Sequence, residues 1–224
     1  MRLGMIVAVE MDSIYAYYGD VEKIEKSAGY EVYFTRRANS ELYIINSGVG
    51  IAAAAAGTEH LISKYAVEAV VNFGVVGGLT EECRKHKICI VKDVVHYRYD
   101  SSAFMPVVPA QVIGHDSIHI PTDERLFRKA LEICPEMMTA TCCSGDVFVD
   151  SLEEKQRLSR EYGGDICDME SVGIVLTCEA DAVPCLLIKA VSDGLAEGAK
   201  AFQEELIDAG NLCLEVTDRI IGLL

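Results

Sequence analysis

Short apolar runs alternate with helix-forming segments along the chain, and this alternation most restricts the folds open to it. Residues 3–9, 67–73 and 185–191 are almost continuously apolar, which is typical of strands buried on both faces. Between the first two runs, the alanine-rich segment Ile51–Tyr65 predicts a helix. Strands that alternate with helices favour a three-layer α/β/α fold with a mixed, largely parallel central sheet.

Other segments continue the same alternation. The pattern predicts further strands at residues 30–35, 42–46, 88–95 and 139–143, and further helices at 122–133, 151–162, 168–182 and 203–223. Ser151 and Glu154 form a capping box at the start of one of these helices. Residues 101–116 contain two prolines and a glycine, so we expect a loop there. Because no linker or repeat divides the chain, residues 1–224 are expected to form a single domain.

Charge and composition exclude several classes of partner. The formal net charge of −15 argues against nucleic acid and against an anionic membrane. No run approaches the roughly 18 apolar residues that cross a bilayer. The nine cysteines follow no regular framework, and the five histidines show no metal-ligand spacing. We therefore expect reduced thiols, no metal, and, with no signal peptide recognised near Arg2, a cytoplasmic protein.

Two acidic residues occupy positions where α/β proteins bind ligands. Glu170 lies at the start of a predicted helix, and Asp193 follows the apolar run 186–191. The carboxyl ends of strands and the adjoining helix starts meet at one edge of such a sheet. One carboxylate that holds hydroxyls and another that moves a proton would suit cleavage of a ribosyl bond. Two solvated surface acids would give the same pattern, because acids are enriched in first helical turns.

Several motifs occur together in an order that resembles a known family. They are residues 1–12, Ser47-Gly48-Val49-Gly50, residues 72–79, residues 144–149, Met169-Glu170 and Ser192-Asp193. In this order the chain resembles the purine nucleoside phosphorylase/nucleosidase superfamily. Within it, the chain is most similar to the 5′-methylthioadenosine/S-adenosylhomocysteine nucleosidases.

This resemblance implies an activity and a role for particular residues. The activity is hydrolysis of the N-glycosidic bond of adenine nucleosides, releasing adenine and a thioribose without a metal or organic cofactor. Asp193 would protonate the purine, Glu170 would hold the ribose hydroxyls, and Asp12, with Glu10 in reserve, would orient the attacking water. The implied substrate-binding residues are Val76, Gly77, Phe148, Val149, Met169, Ser192 and Phe202. The family also implies a homodimer with shared active sites, in which loop 101–116 reaches the neighbour's pocket.

Three other functions stay open at this stage. A purine nucleoside phosphorylase would need cations and hydroxyls for phosphate, and Asn72 and Val75 stand where the superfamily's phosphate ligands are expected. A dinucleotide-binding enzyme is suggested by Ser47-Gly48-Val49-Gly50 before a helix, with Glu68 as the ribose acid, although the motif follows a later strand. A non-catalytic nucleoside-binding protein is the third. Two differences from the nucleosidases bear on substrate preference. Lys189 stands where they often carry Arg, and Asp12 stands where they carry Glu, whose side chain is one methylene longer.

Overall fold

The computed structural model describes residues 1–19, 21–26 and 30–223, and within them ten strands and seven helices form the fold. The strands are β1 (Arg2–Val7), β2 (Glu22–Lys26), β3 (Glu31–Arg37), β4 (Ser40–Asn46), β5 (Ala69–Gly78), β6 (Ile88–His96), β7 (Ile120–Pro121), β8 (Met138–Ser144), β9 (Ile166–Asp168) and β10 (Cys185–Asp193). The helices are α1 (Met11–Tyr18), α2 (Ile51–Tyr65), α3 (Glu81–His86), α4 (Glu124–Ile133), α5 (Leu152–Tyr162), α6 (Ser171–Ala180) and α7 (Ala199–Ile221).

The strands form one mixed sheet, as the sequence predicts. Parallel pairings join β4 to β1, β1 to β5, β5 to β10, β6 to β8 and β8 to β9. Antiparallel pairings add β3 and β2 at one edge, and also join β6 to β10, β6 to β7 and β5 to β9. Because β5 pairs with both β9 and β10, the strands β5, β10, β6, β8 and β9 close into a ring.

Two apolar clusters cover the two faces of the sheet. Successive strand residues point to opposite faces, so Leu186 and Ile188 join one cluster while Leu187 joins the other. The first cluster includes buried residues of α1, α4 and α7, and the second includes buried residues of α2 and α6. This two-sided burial explains the near-continuous apolar strand sequences and confirms the predicted three-layer α/β/α fold. Across the described residues, no helix has the length and apolar character needed to span a membrane.

Several element boundaries differ from those predicted. Helix α2 begins and ends as expected, and the described structure has no helix or strand within loop 101–116. The strand predicted over residues 67–73 begins at Ala69 and continues to Gly78, because it stays paired with β10. The helix predicted from residue 168 begins at Ser171, because Asp168 ends β9. No helix is predicted over residues 11–18, but they form α1, and Asp12 lies in its first turn.

Candidate active site

A cavity of about 240 Å³ opens where β1, β5 and β10 end. Four carboxylate residues line it, namely Glu10, Asp168, Glu170 and Asp193. Much of the remaining wall is apolar. Among the residues that the structure describes, no Lys, Arg or His lines the cavity, and no group of three acidic, His or Cys side chains is arranged to hold a metal ion. The site therefore combines several acids with an apolar wall.

Asp193 lies at the end of β10 with 1% of its surface exposed. Ser192 Oγ is 3.0 Å from Asp193 Oδ1, and Lys155 Nζ is 2.6 Å from Oδ2. Burial raises the pKa of the Asp193 carboxyl, and the Lys155 ammonium opposes that rise. A carboxyl with a raised pKa holds its proton at a higher pH, as a proton donor to a leaving group requires.

Gly77 faces Asp193 across the parallel pairing of β5 with β10. A Cβ atom at this position would lie 3.0 Å from the Cys167 sulfur and 3.4 Å from Asp193 Oδ2. Gly77 does not adopt a positive φ, so the reason for glycine here is close approach rather than a strained turn. The missing side chain leaves the β5 backbone open to the cavity beside the Asp193 carboxyl.

Glu170 lies at the N-terminal cap position of α6, where its carboxylate accepts backbone hydrogen bonds. The Gly50 amide donates to Oε1 at 2.9 Å and the Met169 amide donates to Oε2 at 3.2 Å. Burial, followed by the neighbouring Asp168 charge, raises the pKa of Glu170 to about 7, while Lys189 opposes the rise. The pKa of Glu170 therefore lies close to neutral pH.

Asp168 and Lys189 form a buried ion pair behind Glu170. Lys189 Nζ lies 2.8 Å from Asp168 Oδ2, and both side chains are almost fully buried. Burial disfavours both charges, but the partner's charge and hydrogen bond keep the pKa of Asp168 below and that of Lys189 above its ordinary value. The hydroxyl of Ser171 also donates to Asp168. Asp168 thus lines the cavity as an ionised, fully partnered carboxylate.

Glu10, rather than Asp12, reaches the cavity. The Glu10 carboxylate accepts hydrogen bonds from the Val75 amide at 2.9 Å and the Val9 amide at 3.0 Å, and the residue is buried. Gly74 makes room for it, since a Cβ atom there would lie 3.1 Å from Glu10 Oε1. Asp12 is exposed and does not line the cavity, because β1 ends at residue 7 and α1 turns Asp12 outward. The structure thus places Asp12, which the resemblance implies as the residue that orients the water, outside the cavity, and places Glu10 inside it.

The cavity mouth is apolar. The rings of Phe148 and Phe202 meet edge to face, with centroids 5.4 Å apart. Phe148 is 42% exposed, and Val9, Val49 and Val147 are also exposed around the same opening. A mouth of this kind offers an apolar surface to the part of a ligand that projects outward.

The backbone amides at the start of α2 already donate hydrogen bonds to carboxylates. The Gly50 amide donates to Glu170, and the Ile51 amide donates to Asp146 Oδ1 at 2.7 Å. A pyrophosphate on this helix would have to displace both acids. Glu68 lies at the opposite end of the sheet, where it accepts from the Arg2 amide. This arrangement does not support the dinucleotide-binding alternative.

The family model described as the phosphorylase superfamily matches residues 3–222. The chain belongs to this superfamily. Its membership confirms the predicted family. The match spans the strands and helices that build the cavity, so the site belongs to the superfamily fold and not to an added segment.

Relatives of this superfamily member include named nucleosidases. An aminodeoxyfutalosine nucleosidase of Campylobacter jejuni is 28% identical over 219 residues, which are 95% of this chain and 94% of that protein. A 5′-methylthioadenosine/S-adenosylhomocysteine nucleosidase of Shewanella piezotolerans is 30% identical over 222 residues, or 94% of each chain. The crystal structure of a 5′-methylthioadenosine/S-adenosylhomocysteine nucleosidase from Campylobacter jejuni covers 100% of both chains with a TM-score of 0.90 and 26% identity.

Most of the residues predicted from sequence line the superfamily cavity. Those that do so are Val76, Gly77, Phe148, Val149, Met169, Glu170, Asp193 and Phe202. Ser192 does not line it but donates to Asp193 from behind. Lys155 had no predicted role, and no local pattern distinguishes it from the other charged residues of α5. Asp168 likewise had no predicted role, and the one signal for its pairing is Lys189, a charged residue inside an apolar strand.

Proposed function

We propose that this protein is an N-ribosyl hydrolase that releases adenine from 5′-substituted adenine nucleosides, of the 5′-methylthioadenosine and S-adenosylhomocysteine type. The observation that carries the proposal is the set of buried carboxylates around one apolar cavity, with a proton-donor candidate at one strand end and a second acid beside β5. The named nucleosidases that align over nearly the whole chain support the same reaction.

Asp193 is the proposed general acid. It gives its proton to N7 of the purine, so that the electron pair of the breaking C–N bond leaves with a neutral base. Burial favours the protonated form before reaction, and Lys155 compensates the carboxylate that remains afterwards. Ser192 holds the carboxylate from the other side.

Glu170 and Glu10 are proposed to act on the sugar. Glu170 accepts hydrogen bonds from the ribose hydroxyls, which become better donors as C1′ gains oxocarbenium character. Glu10 orients a water molecule toward C1′ and takes its proton as the new C–O bond forms. Asp168 and Lys189 keep a fixed charge pair beneath these two acids. No step requires a metal or an organic cofactor.

Water suits this site better than phosphate as the nucleophile. A phosphate dianion needs Arg or Lys donors, and no such side chain lines the cavity among the described residues. Asn72, at the position of the superfamily's phosphate ligand, donates instead to the Ile6 carbonyl at 2.9 Å. Arg37 is bound to the buried Asp218. These contacts support hydrolysis over phosphorolysis.

The apolar walls suggest how the nucleoside is held. We propose that the base lies along the backbone of Val76 and Gly77 and against Phe148 and Val149. Met169 would pack beneath the ribose. The 5′ substituent would then project toward the mouth at Phe202, where neighbouring apolar residues favour the thioether that both proposed substrates carry.

The proposed biological setting is a cytoplasmic homodimer that salvages methionine-derived nucleosides. Loop 101–116 exposes three large apolar residues, Phe104 at 75%, Val108 at 56% and Ile113 at 44%. Such residues are favourable to bury in a subunit interface. We propose that this loop covers the neighbour's pocket. Size-exclusion chromatography with light scattering tests the dimer, and a monomeric Phe104→Asp variant would identify the surface.

Product analysis tests the reaction. The protein is incubated with 5′-methylthioadenosine, S-adenosylhomocysteine, aminodeoxyfutalosine, adenosine and inosine, with and without phosphate. We expect adenine and free sugar at a rate independent of phosphate. Accumulation of ribose-1-phosphate products would support the phosphorylase alternative. Binding of adenine nucleosides without any product would support the non-catalytic one.

A further inference from the structure

Lys155 is a buried lysine on a helix that is otherwise largely solvent-facing. Helix α5 carries exposed residues along most of its length, yet Lys155 has no exposed surface. A buried ammonium is stable only when it is paired and fully hydrogen-bonded. The hydrogen-bond acceptors around the Lys155 ammonium must therefore account for its burial.

Three acceptors surround the Lys155 ammonium. They are Asp193 Oδ2 at 2.6 Å, the Gly194 carbonyl at 2.8 Å and the Glu197 carbonyl at 2.8 Å. An ammonium has three protons, so these contacts satisfy all of them. Lys155 consequently fixes both the Asp193 carboxylate and the backbone that follows it.

A second contact ties the same two segments together. Asp150, just before α5, accepts a hydrogen bond from the Ala199 amide at the start of α7. The Phe148 and Phe202 rings touch across the same boundary. The segment around Lys155 and the segment after Asp193 are therefore joined by several contacts beside the cavity.

The ammonium also decides which Asp193 oxygen can carry a proton. A proton on Oδ2 would point one donor at another, so the proton of neutral Asp193 belongs on Oδ1. The Ser192 hydroxyl lies 3.0 Å from Oδ1 and 3.3 Å from the Val76 carbonyl. Since a hydroxyl has one proton, it can donate to Val76 while Asp193 is neutral and to Oδ1 after Asp193 has lost its proton.

We propose that Lys155 is a positioning residue for the proposed hydrolysis, which holds Asp193 so that Oδ1 delivers the proton and which stabilises the carboxylate left behind. This role rests on the proposed function, because it acts through the proton donor. In the balanced step, the Oδ1 proton moves to the purine nitrogen, the C–N electron pair leaves with the base, and the negative charge stays on Asp193 beside Lys155.

Leaving-group dependence separates this role from general support of the fold. Adenine needs protonation to leave, whereas nitrophenolate does not. For Lys155→Met we expect kcat/KM with 5′-methylthioadenosine to fall by about 10²-fold, the lower end of the usual contribution of general acid catalysis. Turnover of a p-nitrophenyl riboside should change far less. Lys85→Met, on the exposed side of α3, is the matched control and should leave both rates unchanged.

A second comparison is between Asp193→Asn and the double variant that also carries Lys155→Met. It keeps the proposal testable if Lys155→Met alone does not fold. The double variant carries no unpaired buried charge, because both members of the ion pair are replaced by neutral groups. If Lys155 acts through Asp193, adding Lys155→Met to Asp193→Asn should cause no further loss with 5′-methylthioadenosine. A further loss that is equal on both substrates would overturn the proposal, as would an equal loss in the single variant. Wild-type protein that releases no adenine would instead refute the proposed function.

Discussion

Replacing Glu170 by Gln tests the electrostatics of the site through stability. Burial and the Asp168 charge raise the pKa of Glu170 from 4.5 to about 7 in the folded protein. The folded state therefore keeps this proton to a higher pH than the unfolded state does. The titration of Glu170 therefore lowers the free energy of unfolding of the wild-type protein as the pH rises from about 4.5 to about 7. Gln cannot titrate, so the variant escapes this loss.

The expected magnitude follows from the proton affinities. A tenfold difference in proton affinity corresponds to about 1.4 kcal/mol, so the raised pKa lowers the free energy of unfolding by about 3 kcal/mol well above pH 7. Gln keeps an acceptor for the Gly50 amide but opposes the Met169 amide with its own donor. The neutral Glu170 carboxyl also carries a donor, so the difference between it and Gln is an offset that does not change with pH. The change with pH therefore isolates the titration.

Urea unfolding followed by circular dichroism at about pH 5 and about pH 8.5 measures the effect. The stability of Glu170→Gln relative to wild type should rise by about 2 to 3 kcal/mol between these conditions. Glu132→Gln, at an exposed position of α4, is the control and should follow wild type at both. A Glu170→Gln difference that stays constant with pH would refute the burial argument and would show that Glu170 is ionised throughout.

Further predictions concern the reaction itself. Glu10→Gln should lower kcat with 5′-methylthioadenosine by about 10²-fold or more, while Asp12→Asn should stay near wild type; the reverse order in steady-state assays would return the water site to Asp12. Asp193→Asn should reduce adenine release by about 10²–10⁴-fold and p-nitrophenyl riboside cleavage much less, so equal losses would remove the general-acid assignment. Phe202→Ala should raise KM more for 5′-methylthioadenosine than for adenosine, and an equal rise for both would place the 5′ substituent elsewhere.

Much of the fold could be predicted because its signals are local. The near-continuous apolar runs predicted strands buried on both faces, and clusters on both faces of the sheet account for them. The alanine-rich sequence fixed the bounds of α2. Helix α1 and strand β2 were not predicted, because their short, mixed sequences carry little periodicity and depend on tertiary packing. The single-domain expectation for residues 1–224 stays a prediction.

Part of the candidate site could also be predicted, because some of its residues belong to local sequence patterns. Glu170 and Asp193 mark a helix start and a strand end, and each belongs to a short motif whose spacing can be read along the chain. Their presence at one cavity follows from the parallel sheet, which brings strand ends together. The choice between Glu10 and Asp12 was different, since it depends on where β1 ends and on how α1 turns away from it.

The sequence by itself therefore determined the layered fold, the family and the positions of the principal acids, because periodicity and short motifs are properties of neighbouring residues. Only the tertiary structure decided which acid reaches the cavity and which charges meet. Lys155 and Asp193 are 38 residues apart, and Asp168 and Lys189 are 21 apart, yet each pair shares a buried hydrogen bond. Such contacts depend on how distant elements pack, and packing also sets the burial that shifts the pKa values of Glu170 and Asp193.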